Sequence, residues 1–320
     1  MQNLKDRLMT MNIFEYLFSV KNDSDKIHKN ITILGITIKI KKNKKPIKPI
    51  KIQNWGVTIS DNSIAILANG PSLRDTFNDV DDYKFIAKKD IFVMNSFMQD
   101  EQFFVLKPKY LCIMDEAYWI QPKHLHKRFE KDREQLKKVN WDMIFFMPKQ
   151  AKQDNAFKKL LSENKYIKPK YINITTPFKT KDKYLFNLYK ENKAMPEPQS
   201  VLVACIYIAI NLGYKNIFLY GADNSWHLSL IVNDDNIPCF MDKHFYDKKE
   251  VIKYEPLYKT YTDKEFVKIR EEFEAMVILH KSYEKIREYS QVMGSNIYNL
   301  SKFSCIDVFD RKFVKQEKSN

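Results

Sequence analysis

The stretch SIAILANGPSL, residues 63–73, joins a strand-forming run to an abrupt stop. The apolar residues of SIAIL favour a buried strand. That strand cannot continue, because Gly70 tolerates positive φ and Pro71 has no N–H to donate. Ser72 then lies near the start of a predicted helix. This order predicts an α/β fold with a polar loop at the carboxyl end of the strand, where such folds bind ligands.

Further apolar runs predict strands of the same sheet. They are DIFVMNSF (90–97), YLCIMDEAYW (110–119), WDMIFFMP (141–148), KYINIT (170–175), NIFLYGAD (216–223) and, last, SNIYNL (295–300). Continuous apolar runs are typical of parallel strands buried on both faces. Several runs end in a polar residue, namely Asn69, Asn95, Asp115 and Asp223. We therefore predict a Rossmann-like, mostly parallel sheet flanked by helices, with these side chains around a ligand crevice.

Two longer segments predict helices. The segment SVLVACIYIAINLGYK, residues 200–215, is apolar on nearly all sides and reaches a glycine stop at Gly213, which predicts a buried helix. Residues 264–294 carry apolar residues at helical spacing and stop at Gly294.

Composition narrows the class of protein and its location. The 320 residues are 44% hydrophobic, enough for a substantial core, and the 4 cysteines have no C-x-x-C pairing. No apolar run approaches the ~20 residues that span a bilayer, and no signal peptide is evident. We expect a cytoplasmic protein in a reducing compartment. A net charge of +14 suits nucleic acid, anionic lipid or an anionic substrate.

Residues 1–55 have the character of a basic appendage without chemistry of its own. MNIFEYLFSV (11–20) predicts a short amphipathic helix, ITILGITIKIKK (31–42) alternates like a hairpin, and KKNKKPIKPIK (41–51) concentrates charge. One interpretation is docking to an anionic membrane surface or to a complex, which would make the protein peripheral. The other is a solvated packing arm. Residues 56–320 then form the main domain, with a lid at about 224–262.

Three residues are candidates for acid–base or nucleophilic chemistry: Asp223, His227 and His244. Asp223 and His227 follow the most apolar strand, and His244 follows a polar loop that resembles a lid. For each histidine the alternative is a packing role. The loop Asn69–Ser72 matches neither a dinucleotide fingerprint nor a Walker loop, but its neutral donors could hold a phosphate and a sugar. No spacing indicates a metal site, and no nucleic-acid module is recognisable.

These motifs, in this order, resemble the bacterial sialyltransferases of glycosyltransferase family 42. IAILANGPSL resembles the family's first strand and nucleotide loop, with Ala68 in place of a glycine, and VMNSF resembles its second strand. SVLVACIYIAINLGYKNIFLYGAD resembles its helix–strand unit. The likeness covers roughly residues 63–300. GADNSW and HFY also resemble MptE-like proteins of surface-polysaccharide loci.

The resemblance implies a glycosyltransferase of a Rossmann-like, GT-A-variant fold that needs no cofactor or metal. Its donor would be a CMP-activated acidic sugar, sialic acid or a Kdo-like sugar. Its acceptor would be a glycan or glycolipid of lipopolysaccharide, lipooligosaccharide or capsule, and the enzyme would be peripheral at the cytoplasmic, inner face of the inner membrane. Donor-binding positions carried over are Asn69, Gly70, Pro71, Ser72, Asn95, Asp115 (where the family has Asn) and Ser200. Asp223 would lie at the reaction centre, and His244 would match the catalytic histidine at shorter spacing, with His227 as competitor.

Several alternatives remain open from the sequence. A His or Asp base would give inversion, whereas nucleophilic attack by Asp223 would give retention. The MptE-like kinship also permits a pyrophosphokinase or nucleotide phosphoryl transferase that needs ATP and magnesium. A third alternative is a non-catalytic scaffold of polysaccharide assembly. A homo-oligomer is compatible with each of these.

Overall fold

The computed structural model describes residues 18–22, 28–34, 36–41, 50–116, 118, 126–177, 180–241, 243–246, 254–259 and 265–311. The chain divides between residues 49 and 50 into two compact units. This division lies before the predicted boundary at 55/56, because Trp55 belongs to the second unit. Its ring packs edge-on against Phe146 and its Nε1 donates to the carbonyl of Tyr171.

The first unit contains an antiparallel sheet of β1 (Phe18–Asn22), β2 (His28–Ile33) and β3 (Ile36–Lys41), in the order β1-β2-β3. The hairpin predicted within residues 31–42 is confirmed. The helix predicted over 11–20 is wrong for residues 18–20, which belong to β1; the rest of that segment lies outside the described residues. The apolar residues there have helical spacing, but the segment pairs with β2 instead: Phe18 lies opposite Ile33, and Val20 lies opposite Ile31.

The second unit holds the remaining strands and the helices that the structure describes. Its strands are β4 (Ser63–Leu67), β5 (Asp90–Met94), β6 (Tyr110–Cys112), β7 (Met143–Pro148), β8 (Ile167–Ile172), β9 (Asn216–Tyr220), β10 (Leu230–Val232), β11 (Pro238–Phe240), β12 (Glu255–Pro256) and β13 (Asn296–Asn299). Its α-helices are α1 (Ser72–Asn78), α2 (Val80–Ala87), α3 (Gln102–Leu106), α4 (His126–Lys137), α5 (Asn155–Glu163), α6 (Asp182–Lys190), α7 (Val201–Leu212) and α8 (Ile269–Met293).

A parallel sheet organises this unit and confirms the predicted α/β class. Among the described residues it has seven strands in the order β13-β9-β4-β5-β6-β7-β8, and every neighbouring pair is parallel. Alternate residues of each strand face opposite layers of helices. Ile64 and Ile66 of β4 belong to the core that includes α7 and α8, whereas Ala65 and Leu67 belong to the core on the other face.

The two predicted helices are confirmed as α7 and α8. Almost every side chain of α7 is buried, and the helix ends at Gly213 with φ 101°. The helix α8 ends at Gly294 with φ 67°, and it buries Tyr283, Ile286 and Tyr289. Each glycine closes its helix in the left-handed conformation that other residues adopt with strain. No helix in the described ranges combines the length and apolar character that crossing a membrane requires.

The strand order contains a reversal beside β4. From β4 the chain adds β5, β6, β7 and β8 outward on one side, and it then returns to place β9 on the other side. The connections leaving the carboxyl ends of β4 and β9 therefore diverge. In open α/β sheets this divergence leaves a crevice in which ligands bind.

Candidate functional site

A cleft of about 660 Å³ occupies the crevice at the carboxyl ends of β4 and β9. It brings together most of the site residues predicted from the sequence. The predicted residues that line it are Asn69, Gly70, Pro71, Ser72, Asn95, Ser200, Asp223 and His244.

The loop after β4 is tied to the loop after β9 by a buried carboxylate. Asp223 accepts hydrogen bonds from the backbone N–H of Ser72 at 2.9 Å and from the Ser72 hydroxyl at 2.5 Å. Asp223 is only 4% exposed. Burial raises the pKa of this carboxyl above its ordinary value, and the hydrogen bonds from Ser72 partly oppose that shift. The carboxylate therefore has a structural task as well as a place in the cleft.

Glycine is needed where these two loops meet. A Cβ atom on Gly70 would lie 2.5 Å from the Cγ atom of Asp223 and 2.5 Å from the carbonyl oxygen of Gly221. The backbone N–H of Gly70 donates to that same carbonyl at 2.9 Å. The glycine that stopped the strand in the sequence thus permits two backbones to touch.

Three asparagines of the cleft have buried amide oxygens without a hydrogen-bond partner among the described residues. They are Asn69, Asn95 and Asn224. Asn69 donates through Nδ2 to the carbonyl of Met94 at 3.1 Å, which fixes its amide beside the end of β5. Asn95 and Asn224 have positive φ values of 45° and 52°, a conformation that Asn tolerates better than most residues. Unpaired buried acceptors are uncommon in proteins and often mark functional sites.

Asn224 was not among the predicted site residues, and its position depends on a distant helix. Its Nδ2 atom lies 3.3 Å from Nε2 of His280 on α8. In the sequence, His280 lies within the predicted helix 264–294, and its spacing there indicates packing rather than a place in a site. Asn224 could have been predicted locally only because it directly follows Asp223 at the end of the strand.

A second buried carboxylate supports the turn that carries Asn95. Asp132 of α4 is 1% exposed and accepts hydrogen bonds from Ser96 Oγ at 2.7 Å, Tyr118 OH at 2.8 Å and Gln99 Nε2 at 2.6 Å. Ser96 and Gln99 belong to the 3-10 turn Asn95–Gln99 that follows β5, so Asp132 holds this turn in place. The charged segment around Asp132 has the sequence of a solvated helix, so no local pattern revealed this role.

A helix end and two basic side chains are among the groups that line the cleft. Ser200 caps α7, where its hydroxyl accepts from the N–H of Leu202 at 3.3 Å. Arg74 and Lys243 line the same cleft. A helix N-terminus and nearby cations favour an anionic group such as phosphate or carboxylate.

His244 reaches the cleft on a segment that is docked through its neighbour Phe245. The N–H of Phe245 donates to the carbonyl of Asn69 at 3.2 Å, and Arg74 donates to the carbonyl of Phe245. The Phe245 ring is 3% exposed and packs against Phe97 with ring centroids 5.0 Å apart. Burial of this ring positions the imidazole beside the nucleotide loop predicted from the sequence.

Two predicted site residues lie elsewhere. Asp115 is exposed beyond the end of β6 and does not line the cleft, because β6 is separated from β4 by β5. His227 lies in the 3-10 turn Trp226–Ser229 and also does not line it, although Trp226 and Leu228 do. A turn of this kind directs successive side chains to different sides.

The described part of the predicted lid, residues 224–262, contains that 3-10 turn and a small antiparallel sheet in the order β10-β11-β12. Within the described ranges, no three His, Cys, Asp or Glu side chains lie close enough to hold a metal ion. The cleft thus offers acceptor oxygens, a helix N-terminus, cations and an imidazole. Such a set can bind a hydroxyl-bearing anion and move a proton.

Comparison with protein-family models gives no match, and comparison with curated protein sequences gives none either. Among solved structures, the chain is similar to one described as the structure of MAf glycosyltransferase from Magnetospirillum magneticum AMB-1, with 11% sequence identity and a TM-score of 0.43. The similarity covers 82% of this chain and 34% of that chain, so this chain spans about a third of the solved protein's length. The two chains share too little for activity to follow from the likeness.

Proposed function

We propose that this protein is a glycosyltransferase that takes an acidic sugar from a CMP-activated donor and transfers it to a glycan or glycolipid. The proposal is carried by one observation: hydrogen-bond acceptors and a helix N-terminus that attracts anions line the same cleft. The amide oxygens of Asn69, Asn95 and Asn224 lack hydrogen-bond donors among the described residues, and the N-terminus of α7 favours an anion. A nucleotide sugar supplies both, since its hydroxyl and amino groups donate while its phosphate and carboxylate are negative.

The charges of the cleft fit the departure of a nucleoside monophosphate. In the proposed reaction the bond between the anomeric carbon and the phosphate oxygen breaks, and CMP leaves with the electron pair. The N-terminus of α7, Arg74 and Lys243 stabilise the charge that develops on that phosphate. Fixed hydrogen bonds and cations thereby take the part that a divalent metal ion plays in other nucleotide-sugar enzymes.

His244 is the proposed general base. It accepts the proton of the acceptor hydroxyl as the acceptor oxygen attacks the anomeric carbon, which gives an inverted product. Asp223 is less suited to this step, because its carboxylate already accepts two hydrogen bonds from Ser72. Determination of the anomeric configuration of the product by NMR tests this assignment, since retention would require a nucleophile such as Asp223.

Thermal-shift titration with CMP, UDP, GDP, ATP and NAD, each with magnesium or with EDTA, tests the nucleotide class. We expect CMP to raise the midpoint of unfolding most, with or without EDTA. A response to ATP alone that EDTA abolishes would refute the proposal in favour of nucleotide phosphoryl transfer. Absence of any nucleotide response would refute it in favour of a scaffold.

A matched pair of variants connects the response to the cleft. Asn95→Ala removes an amide that lines the cleft and should abolish most of the CMP shift. Asn78→Ala changes an exposed asparagine outside the cleft and should leave the shift unchanged. Equal responses of the two variants would place nucleotide binding elsewhere.

The first unit is proposed to dock on an anionic membrane surface. Ile33, Leu34 and Ile36 are exposed around the turn between β2 and β3, and the chain that follows is rich in lysine. Apolar residues beside cations suit the boundary between headgroups and acyl chains. Flotation with vesicles that contain phosphatidylserine, at low and high salt, checks this; binding that ignores lipid charge and salt would contradict it.

A further inference from the structure

A second cavity, of about 290 Å³, lies between α8 and the small sheet of β10, β11 and β12. Its walls are mainly apolar and include the aromatic side chains of Trp226 and Phe240. Leucine, alanine and methionine side chains complete these walls: Leu230, Leu257, Ala275, Met276 and Leu279. Two polar residues, Gln199 and Glu272, also line the cavity.

This cavity adjoins the nucleotide cleft. Trp226 lines both, and Gln199 of the second cavity directly precedes Ser200 of the first. A molecule held in the second cavity would therefore lie next to a donor held in the first.

Glu272 is the unusual group of this cavity. It is half-buried, and its carboxylate has no hydrogen bond or ion pair with the residues that the structure describes. Burial raises the pKa of this carboxyl, and the neighbouring Glu271 raises it further. A carboxylate that is partly shielded from water and accepts no hydrogen bond from the protein favours a ligand that donates hydrogen bonds.

The remaining polar group is the side-chain amide of Gln199. Its Nε2 atom donates one hydrogen to Glu197 at 3.2 Å, and the amide oxygen and the second N–H can both bond to a ligand. The cavity thus presents acceptors beside aromatic and aliphatic walls. A pyranose ring matches this pattern, because it has apolar C–H faces and donating hydroxyl groups.

We propose that the second cavity is the acceptor subsite and that it binds an uncharged sugar ring. This inference rests on the proposed transferase function for its role, but the binding itself can be measured without transfer. The carboxylate of Glu272 disfavours a second acidic sugar here, whereas Arg74 and Lys243 line the cleft next to it. The geometry therefore separates an acidic donor from an uncharged acceptor.

Saturation-transfer-difference NMR on the full-length protein tests the proposal with methyl galactoside, methyl glucoside and the methyl glycoside of N-acetylglucosamine. Methyl glucuronide serves as the charged comparison and hexan-1-ol as the purely apolar one. We expect at least one uncharged glycoside to bind and the glucuronide to bind more weakly. Preferred binding of hexan-1-ol, or of the glucuronide, would overturn the proposal.

Three variants assign the binding to the cavity. Ala275→Phe should fill it and abolish glycoside binding, and Glu272→Gln should weaken binding about tenfold, as expected for loss of a hydrogen bond to a charged group. Glu284→Gln, an exposed position on the same helix, should have no effect. Unchanged glycoside binding in Glu272→Gln and in folded Ala275→Phe would overturn the assignment.

The two proposals fail in different ways. Glycoside binding without any response to CMP would refute the proposed donor and leave the sugar subsite standing. A response to CMP without glycoside binding would refute the subsite and leave the donor site standing.

Discussion

Asp223 and Ser72 are 151 positions apart in the chain, and they are joined by two hydrogen bonds. The carboxylate at the end of β9 accepts both the backbone N–H and the hydroxyl of Ser72, the residue that begins α1. This contact closes the loop Asn69–Ser72 against the neighbouring strand end. The shape of the cleft therefore depends on a residue that could also take part in the proposed chemistry.

Substitution of Asp223 separates these two roles. Asp223→Ala should lower the free energy of unfolding by about 1–3 kcal/mol, because the buried N–H of Ser72 loses its acceptor. Asp223→Asn keeps one acceptor and should lose less. Urea denaturation measures both, with Asp75→Ala as a control in the same cleft at an exposed position. If Asp223→Asn also retains transfer activity, Asp223 is not the nucleophile.

Gly70→Ala should disrupt the cleft by steric overlap. Its Cβ atom would lie 2.5 Å from Asp223 and from the backbone of Gly221, so one of the two loops must move. We expect loss of CMP binding together with a lower midpoint of thermal unfolding. Gly56→Ala is the control for CMP binding: its Cβ atom would meet nothing within 4 Å, and its φ of +70° makes the substitution strained, so it should lower the midpoint of unfolding and leave CMP binding intact. Retention of CMP binding by Gly70→Ala would contradict the observed closeness of the loops.

His244→Ala should lower kcat about a hundredfold or more and leave CMP stabilisation intact, as expected when a general base is removed without loss of donor binding. His227→Ala should leave kcat unchanged, because His227 does not line the cleft. Steady-state transfer assays distinguish the two. The reverse result, a large loss only in His227→Ala, would show that the lid brings the other histidine to the substrate.

The pH dependence of stability should include a contribution from Asp79, which caps α2. The side chain of Lys302 and the N–H groups of Asp82 and Asp81 lower the pKa of Asp79 from 3.8 to about 2. A lowered folded-state pKa stabilises the fold fully above 3.8, and this contribution is lost as pH falls toward 2. The difference in melting temperature between wild type and Asp79→Ala should therefore shrink with acidification over that range. A difference that grows on acidification would refute the assignment.

Much of the fold followed from local sequence because buried parallel strands and buried helices have distinctive patterns. The run Ile64–Leu67 stops at Asn69-Gly70-Pro71, and α7 stops at Gly213, where the structure also ends them. The helix prediction is wrong for residues 18–20 because a short apolar stretch fits both the helical period and the strand period. The strand pairing that decides between them involves residues more than ten positions away.

The sequence by itself determined that polar residues follow apolar strands, and this was sufficient to nominate Asn69, Ser72, Asn95 and Asp223. Only the tertiary structure decided which strand ends meet. The sheet order places β9 beside β4 and sets β6 farther away, so that Asp223 enters the cleft and Asp115 does not. His280 contacts Asn224 and Asp132 holds the turn that carries Asn95, and both side chains come from helices in distant parts of the chain. The pattern of a buried strand is written in neighbouring residues, whereas a site depends on long-range packing that no local pattern encodes.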